Sequence, residues 1–166
     1  MNKIHFIVKE ARIENYPEIS SIHLDCFEKG WGQSEILSLM GKRGTETICA
    51  RVLRPRMPMV GFLMFRKSAD ELEVLSLCVL PEYRRKGIGK ALLDSLVTLA
   101  PKIGTTRVFL EVRENNTNAN SLYDKCGFKN VGKRKGYYTT NGRKSDAYVL
   151  NLMIKGKRSI RPISAI

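Results

Sequence analysis

The chain has 166 residues, 43% of them hydrophobic, which suits one domain with a sizeable core. Its 29 Lys plus Arg against 16 Asp plus Glu leave a formal charge of +13, which draws it to polyanions and weighs against a polycationic polyamine as substrate, although a basic surface also serves solubility alone. No run of 18 apolar residues or secretory leader is present, so a soluble, cytoplasmic protein without a membrane partner is expected; Cys26, Cys49, Cys78 and Cys126 form no Cys-x-x-Cys pair, and buried free thiols are expected rather than disulfides or a metal site.

In chain order, Ile4 to Val8 reads as a strand. From Tyr16 to Phe27, Ile19, Ile22, His23 and Cys26 recur at helical spacing, and a histidine on that stripe reads as a packed core residue rather than a base. The next loop carries Trp31, and Ser34 as N-cap opens a short helix to Met40. Three strands follow, Thr45 to Leu53, Met59 to Arg66 and Glu71 to Val79, and the short turns between them predict an antiparallel meander. A helix from Ile88 to Ala100 shows Ile88, Leu92, Leu96 and Leu99 on one face and is stopped at Pro101. Thr105 to Arg113 reads as a buried strand, parallel to Glu71–Val79 because a helix intervenes. Thr117 to Lys125 reads as a helix with Asn116 as N-cap and Gly127 beyond its end. A hairpin closes the pattern, Val131 to Thr139 and Asp146 to Ile154 around an Asn141-Gly142 turn, and the basic segment 155–166 is expected to be a loose tail on a domain of residues 1–154. The fold class is α/β, a mixed sheet with antiparallel N-terminal strands, a parallel pair at its centre and a C-terminal hairpin, flanked by about four helices.

One stretch points to a ligand. Val79-Leu80-Pro81-Glu82-Tyr83-Arg84-Arg85-Lys86-Gly87-Ile88-Gly89-Lys90 sets a strand end, a basic turn and a helix start in succession. Unpaired N–H groups of a first helical turn, the helix dipole and close approach at Gly87 and Gly89 together make an anion site. A solvated charged corner would have the same composition. A P-loop is excluded because Arg84 and Ala91 stand where it needs Gly and Ser or Thr, and a dinucleotide fingerprint because Leu92 stands where it needs Gly.

Glu111 is a carboxylate in an apolar strand, sharing a face with Phe109 and Arg113. It either pairs with a cation such as Arg113 or faces a wet cleft where it can act on protons. Tyr123 lies on the stripe Ala119, Leu122, Tyr123 and Cys126, where a tyrosine is ordinarily core, and Asn116 has a sufficient reason as an N-cap.

Val79-x-Pro81-x-x-Arg84-Arg85-Lys86-Gly87-Ile88-Gly89, then Leu110-Glu111-Val112, then Asn116 through Leu122-Tyr123 and Gly127-Phe128, resembles the GCN5-related N-acetyltransferase (GNAT) superfamily. Gly132-x-Arg134-x-Gly136-Tyr137-Tyr138 running into Asn141-Gly142-Arg143 is most similar to its RimI-type ribosomal-protein alanine N-acetyltransferases. The resemblance implies a splayed central parallel pair and acetyl-CoA as donor. It implies that the pantetheine arm lies on the backbone of Leu77, Cys78 and Val79, that Arg84, Arg85, Lys86, Gly87, Ile88, Gly89 and Lys90 hold the pyrophosphate, and that Asn116 and Tyr123 contact the cofactor. It implies Glu111 as general base and Tyr123 as general acid, with the N-terminal alanine of a ribosomal protein as acceptor, bound near Trp31, Tyr137 and Tyr138. These three aromatic residues read equally well as packing. Gly30 and Thr139 depart from the prolines common in RimI-type sequences, which bears on acceptor specificity. Competing expectations are a lysine or small-molecule amine as acceptor, and a non-catalytic module that binds ribosomes or RNA through its basic surface.

Overall fold

The computed structural model describes residues 4–140 and 143–154, without the Thr140 side chain. The Asn141-Gly142 turn and the 155–166 tail lie outside the described residues. Seven strands form one sheet in the order β1-β2-β3-β4-β5-β7-β6. They are β1 (Phe6–Glu10), β2 (Thr45–Val52), β3 (Met59–Ser68), β4 (Glu71–Val79), β5 (Arg107–Arg113), β6 (Lys129–Thr140) and β7 (Arg143–Met153). The helices are α1 (Tyr16–Cys26), α2 (Gln33–Met40), α3 (Ile88–Leu99) and α4 (Thr117–Lys125). The meander from β1 to β4 is antiparallel, and β5 joins β4 in parallel, as the intervening helix requires.

The sheet is covered on both faces. Ile88, Leu92, Leu93 and Leu96 of α3 are fully buried in a cluster with Leu63, Phe65, Leu72, Val108 and Leu110, which α4 joins through Tyr123. Truncating Leu96 to Ala would cost about 2–5 kcal/mol through the cavity it leaves. On the opposite face Ile19 and Ile22 of α1 and Ile36 of α2 pack with Phe62, Met64 and Cys78. The start of α2 differs from the sequence expectation. Its N-cap is Gly32 rather than Ser34, because the Glu35 carboxylate reaches back to accept the Gly32 N–H at 2.8 Å and fixes the first turn two residues earlier.

Two irregularities position the site. Met64 pairs with Ser76 and Phe65 with Val74, so Leu75 is an extra residue in β4. At that point the parallel pairing with β5, which runs from Glu71↔Arg107 to Val74↔Leu110, also stops. β4 runs on to Val79 and β5 to Arg113 without pairing, and the two strands splay. In the hairpin, Arg134 pairs with Ala147 but Tyr138 with Ser145, so β6 bulges around Gly136, whose φ is +60°. Asp146 accepts the freed Gly136 N–H at 2.8 Å, which pins the bulge.

Candidate active site

A cleft of about 580 Å³ opens where β4 leaves β5. The edge of β4 at Leu77, Cys78 and Val79 lines one side, and Asn116, Ala119, Leu122 and Tyr123 line the other from α4 and its cap. The basic turn and the first residues of α3 form one end through Arg84, Arg85, Gly87, Ile88, Gly89 and Lys90, and α1 contributes its last residue, Cys26, and Phe27 beyond it. Since residues 75–79 have no β5 partner, that edge of β4 keeps backbone groups for an added extended chain.

The end at α3 is built for an anion. Gly87 is the N-cap, in the left-handed region at φ +82°, and among the described residues no side chain caps the helix, so its first N–H groups can meet a ligand. Arg85 is left-handed as well, at φ +62°, and such alternation turns successive N–H groups to one side. Gly89 has a different use: a Cβ there would lie 3.1 Å from Leu122 Cδ2, so it lets α3 approach α4. Arg84 Nε donates to the Val79 carbonyl at 3.0 Å and ties the turn to the strand. Lys86 is not among the cleft-lining residues; its Nζ donates to the Glu82 carbonyl at 2.7 Å and lies over the Tyr83 ring. Asn116 both lines the cleft and caps α4, its Oδ1 accepting the Ala119 N–H at 3.2 Å.

Tyr123 lines the cleft while being only 7% exposed, edge-on to Phe128. Burial first, and then the neighbouring Cys78 and Tyr138, raise its pKa well above the usual phenol range, so the hydroxyl holds its proton at neutral pH. The two cleft cysteines diverge. Burial drives the Cys78 thiol far upward, whereas Cys26, hydrogen-bonded by Cys78 and by Arg84, is lowered to about 7. Cys26 and Cys126 are half-exposed, which corrects the expectation of four buried thiols; Cys49 and Cys78 are buried as expected.

Glu111 is not among the residues lining this cleft; it heads a neighbouring cluster on β5 and β6. Its partner is Arg134 rather than Arg113: Arg134 Nη1 donates to Glu111 Oε1 at 2.6 Å, with the guanidinium 4.1 Å over the Tyr137 ring. Arg113 lies over the Tyr138 ring instead. The Tyr137 pKa is raised, chiefly by its hydrogen bond to Glu111. Half-buried Tyr138 links the two groups, its phenol interacting electrostatically with both Glu111 and Tyr123.

Trp31 stacks on His23, with ring centroids 4.3 Å apart, and its backbone N–H donates to His23 Nδ1 at 2.8 Å. His23 is the packed core residue its stripe predicted, 3% exposed and kept neutral by burial, with its pKa down at about 4. Trp31 thus has a packing role whatever it contacts besides. Gly30 has a steric reason: a Cβ there would lie 2.6 Å from Leu24 Cα. Cys26, Phe27 and Arg134 were not singled out from the sequence as site residues. Arg134 stood within the RimI-like pattern, but its partner depends on the β6 bulge. Cys26 stood on an apolar stripe, and only its place as the last residue of α1 brings it to the cleft.

The acetyltransferase (GNAT) family model matches residues 16–128. A [ribosomal protein bS18]-alanine N-acetyltransferase of Escherichia coli (strain K12) is 35% identical over 96 residues, 58% of this chain and 65% of that protein, so this match spans just under two thirds of the relative. A Bacillus subtilis (strain 168) protein, whose name assigns it the same activity without confirmation, is 38% identical over 143 residues, 86% of this chain and 92% of its own length. Among solved structures, the ribosomal-protein-S18-alanine N-acetyltransferase from Escherichia coli superposes with a TM-score of 0.84 at 24% identity, covering 94% of this chain and 98% of that one. Arabidopsis thaliana NAA60 in complex with acetyl-CoA gives 0.80 at 21%, covering 92% and 100%. These two likenesses show the fold.

Proposed function

The chain belongs to the acetyltransferase (GNAT) family, and we propose that it transfers an acetyl group from acetyl-CoA directly to a protein N-terminal α-amine, specifically the N-terminal alanine of a ribosomal protein. The observation that carries this reading is the cleft at the β4–β5 splay, with an uncapped helix start at one end and a protonated, buried Tyr123 in its wall. The residues fit acetyl-CoA. The free β4 edge suits an amide-bearing arm, and the Arg85 to Lys90 backbone with the basic side chains around it suits a pyrophosphate. Bound there, acetyl-CoA supplies a thioester carbonyl open to attack by an amine.

In this reading Glu111 takes the proton that the amine must lose, directly or through water, while Arg134 and Tyr137 hold its carboxylate in place. Tyr123 keeps a proton to give to the departing thiolate. The Leu77–Val79 edge and the Tyr137–Tyr138 bulge orient the two reactants, and such positioning contributes much of the acceleration. An α-amine of pKa about 8 is about a tenth neutral at pH 7, whereas a lysine amine near 10.4 is neutral at only a few parts in ten thousand, a difference of roughly 3 kcal/mol. The α-amine therefore asks less of Glu111. We assign residues 1–154 to the acetyltransferase domain, and the charge of +13 supports contact with the RNA-rich surroundings of a ribosomal substrate. No helix among the described residues is long and apolar enough to cross a membrane.

The test is thiol release from acetyl-CoA with three acceptors: an alanine-first peptide, an internal-lysine peptide with a blocked N-terminus, and a polyamine. Turnover is expected with the first. Turnover with the polyamine alone would overturn the reading.

A further inference from the structure

The hairpin of β6 and β7 concentrates positive charge. Its strands carry Lys129, Lys133, Arg134, Lys135, Arg143 and Lys144 against a single carboxylate, Asp146. The acids nearby are already engaged: Glu111 holds Arg134 at 2.6 Å, and Glu114 and Asp146 hold Lys133 at 2.8 and 2.9 Å. Lys129 has Asp124 at 3.9 Å. Lys135, Arg143 and Lys144 are exposed and form no ion pair among the described residues; Lys135 meets Asp146 only through its longer-range field.

These three cations meet at one end of the hairpin. Arg143 is paired with Thr140 and Lys144 with Thr139, and Lys144 Cδ lies 3.3 Å from where a Cβ on Gly136 would stand, so its stem crosses the bulge beside Lys135. The same bulge presents Tyr137, 44% exposed. We propose that this end of the hairpin docks single-stranded RNA, with Lys135, Arg143 and Lys144 on its phosphates and Tyr137 beside its bases. The inference rests on the reading of a ribosomal protein as acceptor, and it places RNA next to the Tyr137–Tyr138 bulge that orients that acceptor.

The chemistry matches both parts of such a ligand. Phosphates answer the spare cations, and the flat face of a base answers an exposed tyrosine ring, which the carboxylates of an acidic peptide would leave unused. β6 is last in the sheet order, so its outer backbone edge is open as well, and N–H groups there can donate to phosphate oxygens. Lysines on an edge strand also keep sheets from pairing with one another, but Arg143 and Lys144 stand on β7. The Gly136 N–H bond to Asp146 at 2.8 Å pins the bulge and so holds Lys135 and Tyr137 in fixed places beside Lys144.

The experiment follows the anisotropy of a fluorescent single-stranded RNA of about 12 nucleotides and mixed sequence, titrated with the full chain between about 50 and 200 mM salt. Lys135→Gln, Arg143→Gln and Lys144→Gln together should weaken binding at least about tenfold at the lowest salt and flatten the salt dependence by about 2, some ~0.7 per cation. Lys42→Gln, Arg43→Gln and Lys102→Gln remove the same charge around the Lys67 to Ile103 contact, at the end of the sheet away from the cleft, and should weaken it less than about threefold. Polyglutamate of matched charge should not displace the RNA. Equal losses in the two sets would reduce the effect to net charge, and displacement by polyglutamate would make this a surface for acidic protein; either overturns the inference. Thiol release with the alanine-first peptide, measured on all three proteins, should be unchanged. Turnover without RNA binding would overturn the inference alone, whereas RNA binding at the hairpin without turnover would overturn the acetyltransferase reading and leave the surface standing. Photocrosslinking of the RNA to the unmutated chain decides the matter even where a variant misfolds: crosslinked peptides are expected from 133–144, and crosslinks confined to 155–166 would overturn the assignment.

Discussion

Lowering the pH from 7 toward 4 should unfold this protein partly through one residue, His23. Its imidazole is 3% exposed, stacked on Trp31 at 4.3 Å and tilted against Phe27 at 4.6 Å. The Trp31 backbone N–H donates to Nδ1 at 2.8 Å, so the folded state holds the neutral tautomer with its hydrogen on Nε2. Burial lowers its pKa to about 4, with Glu35 pulling weakly the other way, against an ordinary value of 6.5 in the unfolded chain. Between those values the unfolded state binds a proton that the folded state refuses. The contribution of His23 is therefore fully present above pH 6.5 and is lost as pH falls toward 4, at a limiting slope of about 1.4 kcal/mol per pH unit. From pH 6 to pH 5 the expected loss is about 1 kcal/mol. Urea unfolding at pH 7, 6 and 5 measures it for the unmutated chain and for His23→Asn, whose amide oxygen can still accept the Trp31 N–H but does not titrate. The unmutated chain should lose about 1 kcal/mol more than the variant between pH 6 and 5. Parallel losses in the two proteins would refute the reasoning, since they would mean that the folded imidazole takes up its proton as readily as the unfolded one.

Three further outcomes follow from the geometry. Gly87→Ala meets no atom within 4 Å, but at φ +82° its Cβ should cost about 1 kcal/mol in urea unfolding and weaken acetyl-CoA in a calorimetric titration; unchanged values would place the left-handed turn outside the cradle. Gly30→Pro restores the residue common in RimI-type sequences, yet its Cβ would meet Leu24 Cα at 2.6 Å and the His23 carbonyl at 2.8 Å, so denaturation should show a loss of about 2 kcal/mol or more and no gain in turnover. Tyr123→Phe and Glu111→Gln should each lower kcat about a hundredfold while leaving acetyl-CoA affinity little changed, measured by thiol release and calorimetry; full turnover in either variant would remove that residue from the chemistry.

Much of the fold is legible in the sequence because its two periods are kept apart. Ile19, Ile22 and His23 on α1, Ile88, Leu92 and Leu96 on α3, and Val108, Leu110 and Val112 on β5 all bury as their spacing predicts. Asn116 caps α4 with its side chain, the local chemistry its residue type favours. The bulges are hidden for the opposite reason. An extra residue in a strand leaves composition untouched and merely shifts which side chains share a face, so Leu75 reads as one more apolar residue in an apolar strand. The Ser34 cap fails on a competition the pattern does not rank: Glu35 reaching back to Gly32 N–H fixes the start of α2 first.

The pairing of Glu111 shows how far a site can depend on what no single strand contains. β5 and β6 are not paired; β7 lies between them. Along the rows of the sheet, Glu111 faces Val149 and then Gly132, while Arg113 faces Ala147 and then Arg134. The two arginines are thus in line across a small buried alanine, and either is one row from the carboxylate. What separates them is the bulge. Where β6 swells around Gly136 it brings Tyr137 to Glu111 and lays the Arg134 guanidinium on that ring, and Arg113 is left to Tyr138. The register that permits this is held by Asp146, which accepts the Gly136 N–H and, with Glu114, binds Lys133 at 2.9 and 2.8 Å. A slip of one residue between β6 and β7 would send Arg134 to the other face and leave Glu111 without its partner. The acid Asp146, to which the proposed chemistry gives no part, is thus what fixes the surroundings of the residue proposed as base.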